Sequence, residues 1–292
     1  MKRILITGAN SYIGCSVENW LRKHEHEYEV DTVDMKDPGW KKHSFSGYDT
    51  VFHVAGIAHV SADPKLKDLY FEVNRDLAVL TAQKAKAEGV SQFIFMSSII
   101  VYGNSAGIGK EKWITAETKE NPADFYGQSK LEAEQGMLPL ADETFHVAVI
   151  RPPMIYGKGS KGNYVRLSGL AKKIPFFPNI KNIRSMLFID NLCEFVRLLT
   201  DSGEGGIFYP QNQEYVSTGE MVKEIAACHH KKMHLTGIFN PVLRLGSKCV
   251  GMINKVFGNL AYDRKMSDYW DFAYCVADFK ESVRRTEEEN NE

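Results

Sequence analysis

Arg3-Ile4-Leu5-Ile6-Thr7-Gly8-Ala9-Asn10-Ser11-Tyr12-Ile13-Gly14 reads as a short apolar strand running into a glycine-bearing turn, and Cys15 to His24 reads as the helix behind it. Strand, glycine turn and helix in that order form the setting in which such a motif holds a dinucleotide. Gly8 permits the tight turn and Gly14 lets the helix pack closely on the strand. The N–H groups at the helix start face the cofactor pyrophosphate, which makes Gly8, Asn10, Ser11, Tyr12, Ile13 and Gly14 the candidate contacts. A second strand-like run, Val30 to Val33, ends in Asp34. A carboxylate there can bind the adenine-ribose 2′-hydroxyl and would repel a 2′-phosphate, so NAD is favoured over NADP. Lys36 weakens that preference, and a plain strand-end turn is the competing reading of Asp34.

The chain has 292 residues, enough for one compound domain or two small ones. Its net charge is −1, with 36 basic against 37 acidic residues, and no strongly basic segment points to nucleic acid. Cys15, Cys193, Cys228, Cys249 and Cys275 are odd in number and contain no Cys-x-x-Cys pair. That pattern fits a reducing, cytoplasmic setting without structural disulfides or a metal site. The apolar run after Met1 is too short for a signal peptide, and no uncharged stretch reaches membrane-spanning length.

Strand patterns at 3–7, 29–34, 50–55, 92–97 and 146–151 alternate with helical patterns near 13–23, 68–88 and 122–138. The expectation is an α/β fold, a Rossmann-type doubly wound parallel sheet over residues 1–152, joined by segments returning from the second half. Pro152-Pro153, Gly157, Gly159, Gly162, Pro175 and Pro178 break the next stretch into short pieces. Residues 153–292 read as a smaller substrate lobe. Within it, 190–201 reads as a helix, and Ser217-Thr218-Gly219-Glu220 is a capping box before Met221 to Cys228. His53 reads as a satisfied buried histidine, and His229, His230 and His234 as a helix-end cluster rather than a metal site. Over 240–260 a helix would put Arg244, Lys248 and Lys255 opposite Val242, Val250, Ile253, Val256, Phe257 and Leu260. Packing on its own lobe is the first reading of that helix, and lying on a membrane surface the second.

Tyr126 and Lys130 stand four residues apart, on one face of a helix. An ammonium beside a phenol lowers the phenol pKa and makes it a general acid and base. Ser97-Ser98-Ile99-Ile100-Val101-Tyr102-Gly103 follows one buried strand, and Arg151-Pro152-Pro153-Met154-Ile155-Tyr156-Gly157 follows the next. With the N-terminal turn, Asp34, His53-Val54-Ala55-Gly56 and Asn74, this set resembles the extended short-chain dehydrogenase/reductase family, in its NAD-dependent nucleotide-sugar epimerase/dehydratase branch. The resemblance runs from residue 3 to about 228 and more faintly to Phe279-Lys280-Glu281-Ser282.

The resemblance implies that Tyr126 moves the proton of the sugar hydroxyl and that Lys130 tunes it and binds the nicotinamide ribose. It further implies that Ser98 holds the reacting oxygen, and that Ala55, Gly56, Asn74, Ser97 and Pro152 line the cofactor groove. Arg184 would grip the substrate diphosphate, with Met154 and Asn163 beside the substrate. A surface ion pair is the alternative reading of Arg184. Three departures stand out. Ser11 replaces a usual glycine, Ile99-Ile100 replace the Asp-Glu of 4,6-dehydratases, and Met154 replaces a frequent asparagine. The missing carboxylates argue against dehydration. Arg151 to Gly157 with Lys161-Gly162-Asn163 is similar to a subgroup of bacterial surface-polysaccharide pathways. The implied function is a 4-epimerase of a UDP-linked hexose, with a 4-ketoreductase as the alternative. A non-catalytic NAD sensor or scaffold is the alternative from another class. The resemblance also implies a homodimer, with the Tyr126–Lys130 helix and the preceding long helix in the interface.

Overall fold

The computed structural model describes residues 1–58, 63–247 and 251–288. Its strands are β1 (Lys2–Thr7), β2 (Tyr28–Val33), β3 (Thr50–His53), β4 (Gln92–Met96), β5 (Trp113–Ile114), β6 (His146–Ile150), β7 (Met154–Tyr156), β8 (Phe176–Pro178), β9 (Met186–Phe188), β10 (Gly206–Phe208), β11 (His234–Thr236) and β12 (Ala261–Tyr262). Its α-helices are α1 (Tyr12–Leu21), α2 (Lys67–Phe71), α3 (Leu77–Ala87), α4 (Phe125–Met137), α5 (Asn163–Ala171), α6 (Ile189–Ser202), α7 (Thr218–Cys228), α8 (Asn240–Gly246), α9 (Gly251–Phe257) and α10 (Phe279–Glu287). The chain forms two compact units. Unit 1 is Met1–Gly103, Lys119–Pro152 and Leu192–Pro210, and unit 2 is Asn104–Thr118, Pro153–Asn191 and Gln211–Glu292.

Unit 1 holds a Rossmann-like six-stranded sheet in the order β2-β1-β3-β4-β6-β10, with every pair parallel. Its strands are apolar on successive residues because both faces are covered. Leu5, Val51, Phe93, Phe95, Val147 and Val149 join one core with Ala78, Ala82 and Ala85 of α3 and Ala133 and Met137 of α4. The alternate residues Ile4, Ile6, Phe52, Ile94 and Ile150 are equally buried and belong to the opposite face. Each such side chain contributes about 1.5–3 kcal/mol by its burial. The order of neighbours reverses at β1, between β2 and β3. In an open α/β sheet this switch point marks the ligand crevice at the carboxyl edge.

Several elements differ from expectation. β3 stops at His53 because Val54 N and Ala55 N both turn to donate to Thr7 O at 3.0 Å. The helix expected over 68–88 is interrupted by a π turn, Glu72–Asp76, between α2 and α3. β10 adds a sixth strand that three residues are too few to announce by alternation.

Unit 2 is built on three two-stranded parallel pairs, β7–β9, β8–β11 and β5–β12. The capping box forms both ways: Glu220 N donates to Ser217 Oγ at 3.1 Å, and Ser217 N donates to Glu220 Oε2 at 2.8 Å. The helix expected over 240–260 is not continuous. α8 ends at Gly246, α9 begins at Gly251, and Leu260 precedes β12. Ser247 leaves α8 as a turn. Lys248 and Val250, which that expectation used, lie outside the described residues.

Candidate active site

The phosphate loop leaves β1 with Gly8 N and Ala9 N donating to Val33 O at 2.9 and 3.1 Å. Gly8 has φ +126°, and a Cβ there would lie 2.8 Å from Ala55 N. A Cβ on Gly14 would meet Ser11 Oγ at 2.6 Å and Gly8 O at 2.9 Å. Both positions therefore require glycine for close backbone approach. Ser11 sits at φ −78°, an ordinary extended value, and its hydroxyl caps α1 by accepting from Gly14 N at 3.1 Å. The positive φ falls on Asn10, at 63°. Serine is thus tolerated without strain, while its hydroxyl occupies one amide of the helix start. Tyr12 and Ile13 open α1. Glycine at positions 8 and 14, where a Cβ would clash, keeps the backbone close-packed at the start of α1, a cradle of the kind that fits a dinucleotide pyrophosphate. Asp34 is exposed just past β2, and its Oδ1 accepts from Lys36 N at 2.9 Å. It forms a turn and still presents a carboxylate to solvent.

Gly56 faces Asn74 and Lys130. A Cβ on it would lie 3.0 Å from Asn74 Oδ1 and 3.3 Å from Lys130 Nζ. Asn74 stands in the π turn, wholly buried, and clamps the loop after β3. Its Oδ1 accepts from Ile57 N at 2.8 Å, and its Nδ2 donates to Ile57 O at 3.1 Å and to Ser129 Oγ at 3.2 Å. The π turn re-aims one side chain inward without ending the helix.

Asp124 caps α4 by accepting from Gly127 N at 2.9 Å, which sets Tyr126 and Lys130 on successive turns. Burial pushes the Tyr126 phenol up to about 12, and the neighbouring Ser98 hydroxyl draws it down. The Tyr70 ring stands edge-on to the Tyr126 ring at 5.8 Å. Lys130 Nζ donates to Met96 O at 2.8 Å and lies 4.6 Å from the Phe95 ring centre. Burial pulls the ammonium down to about 8. The expected depression of the Tyr126 pKa by Lys130 is therefore not found, because burial dominates and the ammonium is turned to the β4 carbonyl.

Ser97 donates its hydroxyl to Glu134. Glu134 in turn accepts from Arg151 Nε at 3.2 and 3.1 Å, and from Arg151 Nη2 at 2.5 Å. Arg151 Nη1 donates to Tyr102 Oη at 2.6 Å and Glu120 Oε1 at 2.7 Å. Pro152 O accepts from Ile99 N at 2.9 Å, holding the loop after β4. Tyr70 and Glu134 carry no sequence signal, since neither belongs to a recognisable spacing. His53 is fully buried, with Nδ1 2.8 Å from Thr7 Oγ1, and burial lowers it to about 3. It is neutral, but its Nε2 has no partner among the described residues, so it is only half satisfied.

In unit 2, Met154, Asn163 and Arg184 line one cavity of about 240 Å³, together with Arg166 and Lys255. Thr218 also lines it, and its remaining walls are apolar, including Leu167, Phe177, Met186 and Met221. Arg184 Nη1 donates to Lys255 O at 2.8 Å and Gly258 O at 3.3 Å, and burial lowers the guanidinium to about 10. Among the described residues it meets no carboxylate, so the surface ion pair is not what the structure contains. His229 Nε2 lies 2.7 Å from Glu287 Oε2, which also accepts from Ser168 Oγ at 3.0 Å.

A family model described as the NAD dependent epimerase/dehydratase family matches residues 4–209. The chain belongs to that family. It is 38% identical over 184 residues to a UDP-glucose 4-epimerase of Vibrio cholerae, covering 60% of this chain and 56% of that one. The chain thus spans little more than half the length of that relative. It is 24% identical over 274 residues to an N-acetyl-alpha-D-glucosaminyl-diphospho-ditrans,octacis-undecaprenol 4-epimerase of Escherichia coli O157:H7, covering 87% of this chain and 81% of that one. The solved structure of MoeE5 in complex with UDP-glucose and NAD shares the fold, with a TM-score of 0.71 at 16% identity over 97% of each chain. This epimerase/dehydratase family member lacks carboxylates after Ser98, where Ile99 and Ile100 stand.

Proposed function

We propose that the chain is an NAD-dependent 4-epimerase of a hexose carried on a diphosphate, with UDP as the carrier. The observation that carries the reading is the Ser98 hydroxyl beside the Tyr126 phenol, with Lys130 buried one turn further along α4. Bound NAD would accept a hydride from the sugar C4 and return it to the opposite face. Tyr126 Oη takes the C4 hydroxyl proton as the carbon is oxidised and gives it back as the ketone is reduced, so the reaction has no net redox change. Ser98 Oγ hydrogen-bonds the reacting oxygen through both steps. Lys130 spends one of its three N–H donors on Met96 O and keeps a positive charge at neutral pH. That charge, together with the positive nicotinamide ring of bound NAD, would have to offset the burial that otherwise keeps Tyr126 protonated, so that the phenolate can take the proton. Asp34 supports NAD over NADP. Arg184 holds the diphosphate, with Asn163 beside it and Met154 against the sugar carrier. The family resemblance supports a homodimer with α4 and the α2–α3 helix in its interface.

A second reading concerns the carrier. The apolar walls of the Arg184 cavity offer few groups to hydrogen-bond a uracil, and the E. coli relative acts, by its name, on a polyprenyl diphosphosugar. The same chemistry at C4 would then be performed on a lipid-linked sugar.

NMR of the purified chain incubated with UDP-glucose, UDP-N-acetylglucosamine or a short-chain polyprenyl diphospho-N-acetylglucosamine, without added cofactor, tests both. Appearance of the galacto epimer supports the proposal and names the carrier. Consumption of added reduced cofactor by a 4-keto sugar, with no epimer from any of the three, replaces it by a 4-ketoreductase. Tyr126→Phe is expected to lose about a hundredfold or more in turnover while still binding NAD. Unchanged turnover in that variant would sink the mechanism.

A further inference from the structure

The segment after β11 leaves its apolar side chains in solvent. Ile238, Phe239, Val242 and Leu245 are 81%, 46%, 72% and 70% exposed, and α8 buries none of its residues. A helix of a globular domain ordinarily turns its apolar side to the core. α9 does so, burying Phe257 to 8% exposure, and α8 does not. The segment is nevertheless fastened in place: Asn240 Nδ2 donates to Asn179 O at 2.9 Å, and Asn240 N donates to Gly237 O at 3.0 Å.

The stretch of sequence that carries this face has charges of one sign. From Ile225 to Tyr262 the sequence contains no Asp or Glu, while Lys231, Lys232, Arg244, Lys248 and Lys255 lie within it. The chain as a whole carries −1, so this run is a local departure. Arg244 is exposed on α8, and it shares the lining of a second cavity with Lys181, beside Asn179 and Asn240. Lys231 and Lys232 are exposed ahead of β11. Among the described residues none of Lys181, Lys231, Lys232 and Arg244 pairs with a carboxylate.

Exposed bulky apolar groups in a stretch whose charges are all cationic match an anionic lipid surface, where side chains enter the acyl boundary and ammonium or guanidinium groups meet phosphates. A second copy of the chain matches less well, because a two-fold contact would set cation against cation. Among the described residues no helix is long and apolar enough to cross a membrane, so such an element would lie on a bilayer rather than in it. We propose that residues 237–246 dock the protein on an anionic membrane surface, with Ile238, Phe239, Val242 and Leu245 inserted and Lys181, Lys231, Lys232 and Arg244 against the lipid phosphates. The docking surface belongs to unit 2 alone and does not rest on the catalytic reading.

Flotation of the full chain with vesicles tests this. The chain is expected to float with vesicles of equal parts phosphatidylcholine and phosphatidylglycerol at low salt, and not with phosphatidylcholine alone. Replacement of Ile238, Phe239, Val242 and Leu245 by serine is expected to weaken vesicle binding by about tenfold or more at unchanged Tm. Lys231→Glu/Lys232→Glu/Arg244→Glu, which leaves the apolar groups intact, is expected to weaken it as well. Failure of the unaltered chain to float, or flotation of the four-serine variant as readily as the parent, overturns the proposal. A shift of the four-serine variant from dimer to monomer in light scattering, with no vesicle binding by the parent, gives the face to a second copy instead.

Discussion

At the scale of single residues, Tyr126 and Lys130 are tuned in opposite directions by one cause. Burial disfavours whichever form is charged, so it raises the phenol to about 12 and lowers the ammonium to about 8. At neutral pH burial therefore keeps the phenol neutral, while the lysine stays charged. A phenol whose pKa is higher folded than unfolded adds stability below its unfolded value, near 10, and that stability is lost as pH rises toward 12. An ultraviolet difference titration of the parent against Tyr126→Phe, without cofactor, is expected to show no phenolate from Tyr126 below about pH 10. A phenolate appearing near pH 7 would mean that Lys130 already controls the phenol.

Between elements, the Arg151–Glu134 pair ties the end of β6 to α4. Both side chains are almost fully buried, at 2% and 1% exposure, and Ser97, Tyr102 and Glu120 satisfy their remaining hydrogen-bonding groups. Removing Glu134 leaves the buried Arg151 with only the partly exposed Glu120 as counter-charge, whereas replacing both partners with apolar groups leaves no buried charge to compensate. Glu134→Ala is expected to cost about 3–5 kcal/mol in urea unfolding, and Glu134→Leu/Arg151→Met much less. Equal losses in the two variants would assign the effect to packing rather than to charge. The π turn between α2 and α3 acts between elements too, since it lets Asn74 reach the Ile57 backbone and Ser129.

Across the whole molecule, the candidate groups fall into separate units. The dinucleotide loop, Asp34, Asn74, Ser98, Tyr126 and Lys130 belong to unit 1, while Met154, Asn163 and Arg184 belong to unit 2. Substrate and cofactor effects should separate accordingly. Arg184→Ala is expected to raise the substrate KM about ten- to hundredfold, the loss of a charge-assisted hydrogen bond, with NAD affinity measured by calorimetry unchanged. Weakened NAD binding in that variant would place the guanidinium on the cofactor.

The features legible in the sequence are local in the chain. The β1–turn–α1 motif needs only residues 3–21, Asp34 ends the next strand, and Tyr126 and Lys130 declare themselves by helical spacing. Backbone sterics and side-chain periodicity act over a few residues, so these features are written in consecutive letters. The meeting of Ser98 with Tyr126, the turn of Lys130 toward Met96 O, and the gathering of Met154, Asn163 and Arg184 around one cavity join residues distant in sequence. So do the pairing of β10 with β6 and of Arg151 with Glu134. Burial and long-range packing choose those contacts. They also set the pKa values, and for the phenol they reverse the direction that the Tyr–Lys spacing alone implies.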